Sequence, residues 1–126
     1  MEEPPFLAKA REAMRAAQLL LEDGCTTSAT NRSYYAVFHA ARAALVAAGE
    51  SAADHRWSHE AIQGGFSRLI HRRKIYPAHL GTDLPWLRGV RDLADYGLEL
   101  ISSRMARDAV KRAGRFVELV AQEIIK

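Results

Sequence analysis

Arg32 and His39 stand seven residues apart in the run Asn31-Arg32-Ser33-Tyr34-Tyr35-Ala36-Val37-Phe38-His39-Ala40-Ala41-Arg42. On an α-helix, seven steps of about 100° return His39 to within about 20° of Arg32, two turns along the same face. A guanidinium holds phosphate oxygens, and an imidazole moves protons near neutral pH. Metal-free cleavage of RNA requires these two groups. The 2′-hydroxyl beside the scissile phosphate is the nucleophile, a neutral histidine can take its proton, and a protonated one can protonate the leaving 5′-oxygen. Arginine can stabilise the charge that builds up on the pentacoordinate phosphorus. DNA lacks the attacking hydroxyl, so such a site would cut RNA and leave DNA whole. No other pair in the chain combines this chemistry with this spacing.

The element that must position the pair is a helix over roughly residues 27 to 48. Tyr34, Val37, Phe38, Ala41, Leu45 and Ala48 form one apolar stripe, and Arg32, Tyr35, Ala36, His39, Arg42 and Ala43 form the opposite one. Thr26, Thr27 and Ser28 offer N-cap oxygens, and Gly49 offers a C-cap. Ala36 lies between Arg32 and His39, which predicts a small-residue gap where a ligand or a second chain could sit. Asn31 and Tyr35 are placed to orient a phosphate or the imidazole. Arg42, one turn past His39, is either a rim charge or a second phosphate contact.

Strand signals are nearly absent from the rest of the chain. A first helix is predicted from Pro4 or Pro5 to Asp23, with Phe6, Leu7, Ala10, Met14, Ala17 and Leu21 on one face and Gly24 ending it. Ser58 can cap a third helix from Glu60 to about His71, weakened in its middle by Gly64-Gly65. Lys74 to Asp83 reads as a loop containing Pro77 and Gly81. Asp83 is the expected N-cap of a fourth helix, with Pro85 in its first turn and an end near Leu100. Ser102 or Ser103 caps a fifth helix, with Val110, Ala113, Val117, Val120 and Ile124 inward. The expected fold is an all-α, up-and-down bundle of four or five helices, one domain over residues 1–126.

Composition bounds the rest. The 126 residues suit one core, and 48% hydrophobic content is too high for a disordered chain. Cys25 is the single cysteine, so no internal disulfide is possible and a reducing, cytoplasmic location is expected. No apolar run is long enough to span a membrane, and the acidic Met-Glu-Glu-Pro-Pro start is unlike a signal peptide. The net charge of +3 is too small to argue for nucleic acid by itself. Basic residues gather at Arg68, His71, Arg72, Arg73 and Lys74, and again at Arg104, Arg107, Lys111, Arg112 and Arg115. Either cluster is a solvated face unless it adjoins Arg32 and His39.

His55 and His59 have a spacing that can bind zinc on a helix, with His71 and His79 further on. No His-Glu-x-x-His run is present, and Asp54 and Glu60 are the only nearby carboxylates, so no metal is expected. Gly64-Gly65 lacks the sequel of a phosphate-binding loop, and no cofactor is expected. On the fourth helix, Asp92 is read as a solvated acid paired with Arg88. Asp95 and Tyr96 could instead face the Arg32–His39 helix and fix an arginine. Trp57 and Trp86 are read as core or dimer contacts.

The run from Asn31 to Leu45 resembles the signature helix of the HEPN family. Arg91-Asp92-Leu93-Ala94-Asp95-Tyr96-Gly97 resembles a second block of small stand-alone prokaryotic members, and Ala109 to Val117 resembles their last helix. The resemblance implies a helical bundle, often dimeric, in which the arginine and histidine of both chains meet in a cleft. Many such proteins are metal-independent ribonucleases, and small ones often act as toxins beside a minimal nucleotidyltransferase antitoxin. Others bind nucleotides without cleaving. The motif arginine maps to Arg32 and the motif histidine to His39. In active members Asn, Asp or His often follows the arginine; here Ser33 does, and the polar neighbour Asn31 precedes it. A non-catalytic module that binds a nucleotide or docks a nucleotidyltransferase is therefore the alternative to a ribonuclease.

Overall fold

The structure is a computed structural model that describes residues 3–50 and 58–126. It contains α1 (Pro5–Glu22), α2 (Thr26–Ala47), α3 (His59–His71), α4 (Leu80–Tyr96) and α5 (Ser103–Ile125), and no strand among the described residues. No helix among them is long and apolar enough to cross a membrane. The readings of His55, Asp54 and Trp57 fall outside the described residues.

Helix α2 is the central element and packs against all four others. Gly24, at φ +81°, closes α1 in the left-handed region that favours glycine, and the short turn that follows folds α2 back along α1. The result is an antiparallel hairpin in which Ala10, Ala13 and Ala17 of α1 and Ala36, Ala40 and Ala43 of α2 are all buried. Small side chains on both helices let the two backbones approach closely. On the other side of α2, Tyr34, Val37 and Leu45 pack into a core with Ile62, Phe66, Leu69, Leu84, Leu87, Phe116 and Val120. The Phe66 and Phe116 rings lie 4.9 Å apart at its centre. Each such large apolar side chain contributes about 1.5–3 kcal/mol on burial.

The structure corrects three expectations about this framework. Ala36 is completely buried, so the gap between Arg32 and His39 is closed from below by α1 of the same chain. Thr26, Thr27 and Ser28 do not cap α2, whose N-cap position is Cys25 with no side-chain bond. The Thr26 hydroxyl donates to the Ile101 carbonyl at 2.6 Å and Thr27 Oγ1 accepts from the Ile101 N–H at 3.1 Å, which ties the start of α2 to the strand of chain entering α5. Asp83 is not an N-cap either. Helix α4 begins three residues earlier, at Leu80, and Asp83 is buried within its first turn. Its carboxylate lies 3.5 Å from Arg112 and 3.1 Å from Arg115, pinning α4 to α5. Ser58 and Ser102 do cap α3 and α5, accepting from Ala61 N–H and Met105 N–H.

Candidate functional site

The outward arc of α2 carries Asn31, Arg32, Tyr35, His39 and Arg42, and each meets a different neighbour. Asn31 Oδ1 accepts from Arg32 Nε at 3.1 Å and from Arg32 Nη2 at 2.8 Å. The amide of Asn31 is fixed in turn, donating to both carboxylate oxygens of Asp95 at 3.1 Å. Asp95 forms an ion pair with Arg91, one turn earlier on α4, at 3.0 Å. Arg91 also meets Asp92 at 3.0 Å and donates to the Tyr35 hydroxyl at 3.0 Å. Arg32 lies over the Tyr35 ring, 5.0 Å from its centroid. A chain of charge-assisted hydrogen bonds thus runs from α4 to the guanidinium of Arg32, and the tyrosine supports that guanidinium from beneath.

Asp95 faces the Arg32–His39 helix through its contact with Asn31. Tyr96 does not: the residue is 76% exposed, and the guanidinium of Arg91, on its own helix, lies 5.9 Å from its ring centroid. Asp92 pairs with Arg91 rather than with Arg88, which reaches Glu60 on α3 at 2.9 Å. Arg91 itself carries no distinctive signal in the sequence. An arginine beside an aspartate on a polar helix face reads as a surface residue, yet its side chain is only 14% exposed.

His39 sits in a groove between α1 and α2, lined by Lys9, Glu12, Ala13, Ala16, Arg32 and His39, with a volume of about 310 Å³. Its ring stacks on Phe38 at 5.9 Å, and its Nδ1 is buried with no hydrogen-bond partner among the described residues. Burial lowers its pKa, and the positive charges of Arg42, Lys9 and Arg32 lower it further, to about 4. The imidazole is therefore neutral at pH 7.

Arg42 is turned away from this groove, its guanidinium 3.9 Å from the centroid of the Phe6 ring. Burial depresses its pKa as well. Tyr35 and Asn31 do not line the groove; they act on Arg32 from its α4 side. Ser33 is buried, and its hydroxyl donates to the Ala29 carbonyl one turn back at 2.9 Å, so it offers nothing to a ligand. The basic clusters on α3 and α5 do not line the groove either. His59 hydrogen-bonds the Tyr34 hydroxyl and stacks on Phe38 at 5.1 Å. Trp86 lies half-buried under Arg112, 4.1 Å from the ring centroid.

An all-α bundle whose central helix presents an arginine and a histidine two turns apart defines a class of helical domain, and comparison with known proteins places the chain within it. A family model described as the HEPN domain matches residues 5–124. The chain is 27% identical to a UPF0332 protein of Gloeobacter violaceus, covering 96% of this chain and 94% of that protein. It is 30% identical to a UPF0332 protein of Thermotoga maritima, covering 92% and 86% respectively. The chain belongs to the HEPN domain family.

Proposed function

We propose that this protein is a metal-independent endoribonuclease of the HEPN type, acting in the cytoplasm as a homodimer and as the toxin of a toxin–antitoxin pair whose other half is a minimal nucleotidyltransferase. The observation that carries the reading is a neutral imidazole and a braced guanidinium opening into one groove. Arg32 binds the scissile phosphate. His39 takes the proton of the 2′-hydroxyl as the 2′-oxygen attacks phosphorus. The 5′-oxygen leaves with a proton given by the protonated His39 of a second chain. The products are a 2′,3′-cyclic phosphate end and a free 5′-hydroxyl, with no metal or cofactor consumed. Substrate phosphate beside an imidazole raises its pKa, which makes the protonated partner attainable near neutral pH.

The test is digestion of single-stranded RNA in EDTA by the wild-type protein and by His39→Ala. Cleavage that leaves cyclic or 3′-phosphate ends, and that disappears in the variant while helical content is kept, supports the reading. Equal cleavage by both proteins removes His39 from the mechanism.

One observation favours the alternative, a module that binds nucleotides or docks a nucleotidyltransferase without cleaving. The residue after the arginine, Ser33, is bonded to its own helix and has no free polar group. Retention of a nucleotide without RNA turnover would support that reading. Against it, Asn31 supplies from the preceding position the polar contact to the arginine that Ser33 lacks.

A further inference from the structure

Phe6, Lys9, Ala13 and Ala16 recur on α1 at steps of three and four, so they share one face, the one turned toward α2. Phe6 meets Arg42. Lys9, Ala13 and Ala16 line the groove with His39 and Arg32. Because the helices are antiparallel about the turn at Gly24, Lys9 lies at the His39 end of the groove and Ala16 at the Arg32 end. The two ends are far apart: seven residues of α2 rise about 10 Å. The Arg32 and His39 side chains can converge on one phosphate within that length, and the groove is long enough for the strand's next phosphate to meet Lys9 on the α1 wall.

Lys9 is exposed, and among the described residues it forms no ion pair, although Glu12 stands one turn further along the same groove. Its charge contributes to holding His39 neutral, after burial and Arg42, so it acts on the imidazole across the groove. With Arg42 occupied by Phe6, Lys9 is the one cation besides Arg32 among the residues lining this groove.

We infer that Lys9 is a substrate-binding residue, which holds a phosphate of the RNA strand next to the scissile one and so fixes the path of the strand along α1. The inference rests on the nuclease reading above and extends it from a single linkage to an oligonucleotide. Glu12 lies beside the same path and opposes it.

Binding of a fluorescent 2′-deoxy oligonucleotide, which the proposed chemistry cannot cleave, tests this as a function of salt. Lys9→Met is expected to weaken binding several-fold at low salt and to reduce the slope of log affinity against log salt by about 0.7, the loss of one phosphate contact on a single strand. Glu12→Gln is expected to tighten binding. Lys9→Met should raise KM for an oligoribonucleotide by a larger factor than for a dinucleotide, which carries a single phosphodiester and so reports only the effect of the lost charge on His39. An unchanged salt slope in Lys9→Met, with a reduced slope in Arg32→Ala, overturns the role of Lys9 and leaves the nuclease reading standing. Failure of the wild-type protein to bind the oligonucleotide at any salt overturns both. Both α1 side chains are exposed, and unchanged melting temperatures would confirm that each variant is folded.

Discussion

Asn31 accepts two hydrogen bonds from the guanidinium of its own neighbour, Arg32, and is itself held by Asp95 from another helix. Adjacent residues on a helix point about 100° apart, so this contact needs a third party to fix the asparagine, and Asp95 provides it. A hydrogen bond to a charged group contributes about 1.5–3 kcal/mol. Asn31→Ala should therefore lower kcat/KM for RNA about tenfold or more while the melting temperature moves little, because the pair lies at the surface of the bundle. Asp95→Ala should do the same more weakly, and the double variant should be no worse than Asn31→Ala, since both act through one guanidinium. Steady-state kinetics on the three variants would decide this; additive losses would show that Asp95 acts elsewhere.

Arg91 lies at the crossing of that chain. Its removal would leave Asp92, Asp95 and the Tyr35 hydroxyl without their cation. Arg91→Ala should cost about 2–3 kcal/mol in stability as well as activity. Arg91→Lys should recover little of either, because one compact ammonium nitrogen cannot reach the three separate partners that Nε, Nη1 and Nη2 of the planar guanidinium span. Denaturant unfolding of the two variants measures the first effect.

The depressed pKa of His39 has two consequences for pH. Its folded-state value of about 4 lies below the ordinary 6.5. Between those limits the unfolded chain binds a proton that the folded chain does not, so stability rises with pH across the window. Acidification from pH 6.5 toward 4 should therefore destabilise the wild type more than His39→Gln; His59, also lowered by burial, is common to both proteins and cancels in the difference. The acidic limb of kcat/KM, which reports the free enzyme, should fall well below pH 6.5. Thermal melts and initial rates over this range check both, and an acidic limb near 6.5 would show that the groove does not shield His39.

Asp83 is an equally direct test of the fold. It is 1% exposed and faces two arginines of α5. Asp83→Asn keeps its shape and removes its charge, so it should cost about 1–3 kcal/mol and leave kcat/KM unaltered at temperatures where the variant is folded. A change in activity without a change in stability would contradict a purely structural role.

The sequence revealed the helices more fully than their environments. The stripes of α1 and α5 and the serine caps of α3 and α5 are local signals, and each is found where periodicity and capping chemistry put it. The spacing in α2 implies two faces, one side core and one side open. The helix is central, and the side carrying Arg32 and His39 is partly covered by α1. Alanines at 36, 40 and 43 carry no sign of which helix they will touch, so the cover was invisible. Asp83 has the local pattern of an N-cap, and the partners that decide its role lie some thirty residues ahead on another helix. Arg91 and Lys9 carry no local signal for a related reason: a charged residue on a polar helix face looks solvated until the opposing helix is in place.

Gly64 and Gly65 illustrate the same limit and supply the sharpest test of the packing. As neighbours in mid-helix they look equally unfavourable, each costing about 1 kcal/mol relative to alanine. In the fold they differ. A Cβ on Gly64 would meet nothing within 4 Å, whereas one on Gly65 would come within 2.9 Å of Leu45 Cδ2. Leu45 is 1% exposed and wedged in the core, so it cannot swing clear without opening a void elsewhere. Gly64→Ala should stabilise the protein by about 0.5–1 kcal/mol. Gly65→Ala should forfeit that gain and destabilise by about 1–3 kcal/mol through overpacking. Equal stabilisation by the two substitutions, measured by chemical denaturation, would mean that α3 does not lie against α2 as closely as Gly65 allows.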